Sequence, residues 1–248
     1  MVNNAWLPFG SHPDASMRLL CLPHAGAGAT VYRSWGAGLA PAMAVCPVQP
    51  PGREMRLDEP PFTSITPLVR ELAQEIASSV KLPYAIFGHS TGAMCAFEVI
   101  GELRAIGAGP PARLFVAGRR APQLPMEHTE LASLDPPELA SVLRRLGGTP
   151  EFMLEDHELL RQFQPLLAAD FAVNEGYEYR PGTALDIPIT AFAGTTDPGA
   201  GPGLMDPWRE QTRAGFTLHA LNGGHFAIFE RADEVHARII AELAEHAG

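Results

Sequence analysis

Residues 87–97, FGHSTGAMCAF, constrain the fold more than any other segment of the sequence. They place Ser90 between Gly88 and Gly92, after the apolar run YAIF and before an apolar, helix-compatible segment. A strand that turns sharply into a helix strains the backbone at the turn and leaves no room for neighbouring side chains. The G-x-S-x-G pattern in this setting predicts a nucleophilic serine at a strand-to-helix elbow. An ordinary serine in a tight glycine-rich turn is the alternative.

Short apolar runs recur along the chain and alternate with segments of helical spacing. Continuous apolarity is typical of strands that are covered on both faces. The candidate strands are residues 18–22, 42–48, 84–87, 113–117, 187–193 and 216–220. The candidate helices outside the middle of the chain are 67–80, capped by Thr66, then 93–106 and 234–246. This alternation predicts an α/β fold with a mostly parallel central sheet flanked by helices.

The alternation breaks between about residues 121 and 185. Asp135, Pro136 and Glu138 form a capping pattern for a helix that we expect to end at 147–148, and a second helix is expected over 156–167. We therefore expect a single domain over 1–248 with a helical insertion at about 121–185. The insertion is either a lid or an additional packing layer. The glycine-rich segment 199–203 is expected to be a flexible loop.

A serine hydroxyl needs a base to become a nucleophile. In folds with this elbow the chain order is serine, acid, histidine. His225, on the glycine-rich loop between the last strand and the last helix, is the predicted base. Asp197, the first carboxylate after strand 187–193, is the predicted acid that orients the imidazole. Asp206 is the alternative acid, and a turn-forming role for Asp197 before Pro198 also stays open.

Four other histidines are less suited to the role of base. His89 neighbours the serine but should point to the opposite face of its strand, beneath the elbow. His219 falls inside a candidate strand, and His236 and His246 on the last helix are expected at the surface.

The tetrahedral intermediate of acyl transfer needs two N–H donors for its oxyanion. One is expected to be the amide of Thr91, the residue after the serine. The loop PHAGAG at 23–28 follows an early strand and offers the amide of Ala25 as the second. A phosphate-binding interpretation of this loop is weak because the lysine of the P-loop pattern is missing.

Composition limits the other functions. The net charge of −10 argues against non-specific nucleic-acid binding. The N-terminal residues do not read as a secretory signal, and no apolar run is long enough to span a bilayer, so a soluble cytoplasmic protein is expected. No metal-ligand spacing is found, and neither a metal nor another cofactor is expected. Isolated cysteines in apolar surroundings predict reduced core residues; these are Cys21, Cys46 and Cys95.

Further segments lie in a fixed order around the elbow: LPHAGAGATVYRSW, PVQPPGRE, FGHSTGA, LRRLGGTPEFML, LLAADFAVNEGYEY and GGHFAIFE. In these segments, which span nearly the whole chain, the sequence resembles the type II thioesterases of polyketide and non-ribosomal peptide pathways. The resemblance implies an α/β-hydrolase fold and hydrolysis of acyl groups from the phosphopantetheine thioester of acyl or peptidyl carrier proteins. It also implies a Ser90, Asp197 and His225 triad, with the Ala25 and Thr91 amides as oxyanion donors.

Two positions depart from that family's pattern. Methionine or leucine usually follows the serine, where this chain has Thr91. The acid loop usually carries several aspartates, whereas GTTDP keeps only Asp197.

The expected partner raises a question of charge, because carrier proteins of such pathways are typically acidic. A basic local surface would suit them; the candidates are Arg53, Arg56, Arg119, Arg120, Arg144 and Arg145. The apolar side chains of the insertion either line an acyl channel or form core; they are Leu131, Leu143, Leu159, Phe152, Phe163 and Phe171. The expected assembly is a monomer. The alternatives are a small-molecule esterase, acyl transfer to an acceptor other than water, and an inactive scaffold that binds a carrier.

Overall fold

The computed structural model describes residues 4–9, 15–80, 83–126, 131–182 and 184–244. Within these ranges six strands form one sheet: β1 Arg18–Leu22, β2 Ala44–Pro47, β3 Tyr84–His89, β4 Leu114–Ala117, β5 Ile189–Gly194 and β6 Phe216–Leu221. The strand order is β2-β1-β3-β4-β5-β6, and every neighbouring pair is parallel. The carboxyl ends of all six strands therefore meet at one edge of the sheet, where ligands bind in such folds.

Helices cover both faces of this sheet. They are α1 Trp35–Leu39, α2 Ile65–Ser79, α3 Thr91–Ala105, α4 Pro136–Leu146, α5 Glu151–Glu155, α6 His157–Glu175, α7 Pro202–Met205, α8 Ala227–Glu230 and α9 Ala232–Ala244. Alternate strand residues enter different cores: Ile86 packs towards α2 and α3, whereas Phe87 packs towards α1 and α9. The fold class predicted from the sequence is confirmed.

The element bounds differ from the prediction in instructive places. β3 continues to His89, and α3 already begins at Thr91, so only Ser90 separates them. α2 begins at Ile65, before the predicted cap, and Ser64 takes the N-cap position without a side-chain hydrogen bond. Segment 199–203 is not wholly a loop, because Pro202 opens α7. The short helices α1, α5, α7 and α8 were not predicted.

The insertion between β4 and β5 is helical, as predicted. Asp135 and Glu138 form a reciprocal capping box at the start of α4. α6 begins after its cap Asp156 but runs to Glu175, eight residues beyond the predicted end. A separate apolar cluster holds α4, α5 and α6 together; its buried members are Leu131, Leu139, Ala140, Leu143, Leu154, Leu160 and Leu167.

The apolar side chains of the insertion divide between core and surface. Leu131 and Leu143 are buried, and Phe163 and Phe171 pack partly buried against the same cluster. Phe152 is 67% exposed, so it belongs neither to this core nor to an enclosed channel.

The expected surface position of His236 is wrong. Its side chain is buried where α9 crosses α1, with ring centroids 4.9 Å from Trp35. His246 lies outside the described residues. The three cysteines are buried and free, as predicted. Among the helices of the described ranges, none is both long enough and apolar enough to cross a membrane.

Candidate active site

Ser90 occupies a strained turn at the carboxyl end of β3. Its backbone has φ 55° and ψ −119°, and its amide donates a 2.8 Å hydrogen bond to the carbonyl of Ala117 in β4. A positive φ is costly for a residue other than glycine and persists only where the surroundings enforce it. The strain favours the elbow interpretation of Ser90 over that of an ordinary turn serine.

The two glycines of the pattern are sterically required. A Cβ atom at Gly88 would lie 2.3 Å from the carbonyl oxygen of Gly92, inside the elbow itself. A Cβ atom at Gly92 would lie 2.3 Å from the carbonyl oxygen of Leu22 and 2.6 Å from that of Pro23. The elbow therefore packs directly against the backbone where β1 ends.

Asp197 and His225 meet at the same edge of the sheet, from the loops after β5 and β6. The carboxylate Oδ2 lies 2.8 Å from the imidazole Nδ1. Since a carboxylate only accepts, Nδ1 carries the proton and Nε2 is left as the acceptor. The Asp197 side chain is 3% exposed and that of His225 is 17% exposed. This arrangement can hold an imidazole as a general base.

The Asp197 carboxylate is also held from its other side. Oδ1 accepts hydrogen bonds from the amides of Gly199 at 2.8 Å and Ala200 at 3.1 Å. Burial acts to raise the pKa of Asp197, but the His225 hydrogen bond and these two amides outweigh it and lower that pKa. The alternative acid, Asp206, instead forms an exposed ion pair with Arg209. The structure thus brings Asp197, rather than Asp206, to the histidine.

Two further histidines pack behind His225, and both lie beside Phe226. His89 is fully buried beneath the elbow, as predicted, and its Nε2 lies 2.9 Å from the His225 carbonyl oxygen, which can only accept. Burial, with smaller contributions from His225 and His24, holds the pKa of His89 well below its usual value. Burial and the nearby His225 also lower the pKa of His24 to about 4. Both rings are therefore neutral near pH 7.

We expect this pair of neutral histidines to make the fold sensitive to acid. The pKa of His24 falls from 6.5 in the unfolded chain to about 4 in the fold, so the unfolded chain takes up the proton first. The free energy of unfolding should therefore be highest above about pH 6.5, with respect to His24, and should decline as the pH falls towards 4. Urea titrations at several pH values should show a shallower decline for His24→Phe than for the wild type. His157→Gln, a change on the exposed start of α6, should keep the wild-type slope; an equal slope in His24→Phe would contradict the assignment.

The predicted oxyanion loop at 23–28 lies against the elbow. The carbonyl of Pro23 adjoins Gly92, so the segment carrying Ala25 begins beside the residue that follows Thr91. Gly26 has φ +78°, and a Cβ atom there would lie within 2.9 Å of both Leu167 and Phe163. α6 therefore covers the loop directly, which is the position expected of a lid element.

The prediction of a basic surface is wrong for half of its residues. Arg53 and Arg56, in the segment after β2, and Arg119, after β4, are each 7% exposed or less. Arg53 forms a buried bidentate ion pair with Asp170, whose carboxylate oxygens lie 2.5 and 2.9 Å from the guanidinium nitrogens. A buried arginine that is paired in this way stabilises contacts within the protein and is not available to a docking partner.

Sequence analysis missed two polar residues of α6, Asp170 and Asn174. Asp170 accepts from the Gly26 amide at 2.7 Å, and Asn174 donates from Nδ2 to the Thr91 hydroxyl at 2.5 Å. The signal was present in residues 166–173, LLAADFAV, because a carboxylate in the middle of an apolar run of a helix requires a buried partner. That the partner is Arg53, 117 positions earlier, could not be read from the sequence.

A small cavity lies between the elbow, the loop after β1 and α6. Its volume is about 30 Å³, and its lining is mostly apolar; the lining includes Leu22, Pro23, Thr91, Gly92, Cys95 and Val173. Across the described part of the chain, no cluster of three or more histidine, cysteine or acidic residues is arranged to hold a metal ion. The chemistry that the arrangement supports is that of a serine, a histidine and a carboxylate.

Comparisons with known proteins agree with this chemistry. The thioesterase domain family matches residues 17–243. The gramicidin S biosynthesis protein GrsT of Aneurinibacillus migulanus is 36% identical over 94% of this chain and 91% of its own length. Thioesterase PikA5 of Streptomyces venezuelae is 37% identical over 92% of this chain and 81% of its own length.

Solved structures extend the likeness to the fold. The type II thioesterase BorB from the borrelidin biosynthetic cluster is 38% identical, covers 96% of this chain and 97% of its own, and superposes with a TM-score of 0.86. RedJ, a thioesterase from the prodiginine pathway of Streptomyces coelicolor, covers 92% and 86% of the two chains at 36% identity and a TM-score of 0.84. The chain therefore belongs to the thioesterase family and is a hydrolase of the α/β-hydrolase fold.

Proposed function

We propose that this chain is a type II, editing thioesterase that hydrolyses acyl groups from the phosphopantetheine arm of acyl or peptidyl carrier proteins in polyketide or non-ribosomal peptide biosynthesis. The observation that carries the proposal is the 2.8 Å Asp197–His225 pair at the sheet edge that also presents the strained Ser90. The pathways named for GrsT, PikA5, RedJ and BorB support this class of substrate. The proposed catalytic residues are Ser90, Asp197 and His225.

In the proposed acylation step, the Ser90 hydroxyl oxygen attacks the thioester carbonyl carbon while Nε2 of His225 takes the hydroxyl proton. The Ala25 and Thr91 amides donate to the oxyanion of the tetrahedral intermediate. When the intermediate collapses, the carbon–sulfur bond breaks, and the sulfur of the carrier's arm leaves with the proton from His225. The product is an ester of the acyl group with Ser90.

In the proposed deacylation step, a water molecule attacks the Ser90 ester while His225 again accepts a proton. Collapse of the second tetrahedral intermediate releases the carboxylic acid and returns the proton to Ser90. Asp197 keeps the Nδ1 proton in place and stabilises the imidazolium in both steps.

The proposed partner is an acidic carrier protein. Of the arginines named from the sequence, Arg144 and Arg145 on α4 remain exposed, although Arg144 forms an ion pair with Glu151. These two are the remaining candidates from α4 for carrier docking. The monomeric state and the cytoplasmic location stay predictions.

Kinetics with matched acyl donors test the proposal. The same acyl group is offered on a carrier protein, on free pantetheine and as a p-nitrophenyl ester. We expect the highest kcat/KM for the carrier thioester and no release by Ser90→Ala above the buffer rate. A clear preference for the p-nitrophenyl ester would favour a small-molecule esterase. Equal release by wild type and Ser90→Ala would remove the proposed mechanism, and carrier binding without turnover by the wild type would indicate an inactive scaffold.

A further inference from the structure

One face of α6 lies over the candidate active site. Phe163, Leu167, Asp170 and Asn174 recur at spacings of four, three and four residues, which places them on one side of a helix. The first two pack on Gly26, and the last two are 8% exposed. Two polar side chains one turn apart are thus buried among apolar neighbours, where each needs specific partners.

Asp170 fixes the loop that carries Ala25. Its Oδ2 accepts from the Gly26 amide at 2.7 Å and from the Arg53 guanidinium at 2.5 Å. The same Arg53 nitrogen donates to the Ala27 carbonyl at 3.3 Å. The ion pair therefore holds the loop through a backbone N–H on one side and a backbone carbonyl on the other.

Asn174 fixes the elbow. Its Nδ2 donates to the Thr91 hydroxyl at 2.5 Å, and its Oδ1 accepts from Arg119 at 3.0 Å. Arg119 is anchored in turn, because its carbonyl accepts from the Trp208 indole at 2.8 Å. The orientation of the Asn174 amide is thus set by partners on both of its atoms.

We propose that Asp170 and Asn174 are positioning residues that set the distance between the two amides of the oxyanion hole. The inference rests on the proposed function, since Ala25 and Thr91 are the donors proposed there. Neither side chain touches the substrate in this account. Each acts through the backbone segment that it contacts: Asp170 acts through Gly26, and Asn174 acts through the side chain of Thr91. Because both side chains project from the same helix, α6 fixes the position of the loop that carries Ala25 relative to the elbow that carries Thr91.

The physical basis is preorganisation. Oxyanion donors stabilise the transition state only when they are fixed at hydrogen-bond distance from the developing charge. A misplacement of about 1 Å can lower the rate about 100-fold without any change in the reacting groups.

The test compares steady-state kinetics of Asn174→Leu, Thr91→Val and the double variant. Each single variant removes one half of the Asn174–Thr91 hydrogen bond while keeping the Thr91 amide. We expect kcat to fall at least about tenfold with KM within about twofold, and the double variant to be no slower than the slower single variant. The pH profile of kcat/KM should not move, because the Asp197–His225 pair is untouched. Asp170→Asn is expected to lower kcat further and also to destabilise the fold, because it leaves the buried Arg53 charge without its full partner.

Arg161→Gln, which breaks an exposed ion pair on the same helix, is the matched control and should keep the wild-type kcat. If Asn174→Leu and Thr91→Val fold and keep kcat, or if their losses simply multiply in the double variant, the positioning role is wrong. Failure of the proposed function gives a different pattern, because Ser90→Ala would then match the wild type. Turnover of a p-nitrophenyl ester that depends on Ser90 allows the same comparison even if carrier thioesters prove not to be the substrate.

Discussion

Replacing His225 by alanine should lower kcat for thioester hydrolysis by about 10⁴-fold or more. The variant loses the imidazole that is hydrogen-bonded to Asp197, so the Ser90 hydroxyl keeps its proton. Asp197→Asn should lower kcat by a comparable factor, because an amide nitrogen in place of Oδ2 can donate to Nδ1 and stabilise the wrong tautomer of His225.

The matched control for the first prediction is His157→Ala, which removes an exposed histidine at the start of α6. Steady-state assays with one acyl-carrier substrate measure all three variants. The control should retain wild-type kcat, whereas His225→Ala and Asp197→Asn retain only a residual rate. Loss of the same size in the control, or a loss below about tenfold in His225→Ala, would remove His225 from the mechanism.

Gly92→Ala should destabilise the fold by at least about 3 kcal/mol and abolish activity. The added Cβ would lie 2.3 Å from the Leu22 carbonyl oxygen and 2.6 Å from that of Pro23. Both oxygens are backbone atoms, so neither a rotamer change nor a side-chain shift can relieve the clash. Either α3 moves away from the end of β1 or the elbow changes shape, and each outcome displaces Ser90.

Gly101→Ala is the control within the same helix. An added Cβ atom there meets nothing within 4 Å, so the change should stabilise α3 by about 0.5–1 kcal/mol through helix propensity. Urea unfolding measures both variants. Near wild-type stability and activity of Gly92→Ala would contradict the close approach of the elbow to β1.

The strands and the elbow were predictable because local patterns determine them. Continuous apolar runs identified all six strands, and Asp135 with Glu138 identified the start of α4. The chain order of Ser90, Asp197 and His225 predicted which loops the parallel sheet brings together. The 2.8 Å contact between Asp197 and His225 agrees with that prediction.

The errors arose where packing between distant segments decides the outcome. His236 was expected at the surface, but Gly38 in α1 lacks a side chain and lets α9 approach so closely that a Cβ there would lie 2.2 Å from the imidazole Nδ1. Arg53 was expected to meet solvent, but Asp170 on α6 pairs with it across 117 positions. The sequence places Arg53 in a motif and His236 on a helix without showing which partner each one meets.

The most direct test of the central claim is to trap the acyl-enzyme. Wild-type protein is mixed with an acyl-carrier thioester, quenched in acid within milliseconds to seconds, digested and analysed by mass spectrometry, with His225→Ala and Ser90→Ala in parallel. We expect an acyl adduct on the peptide that contains Ser90 in the wild type, and none at this position in Ser90→Ala. Turnover by the wild type with the acyl group found on another residue, or on no residue at any quench time, would contradict it.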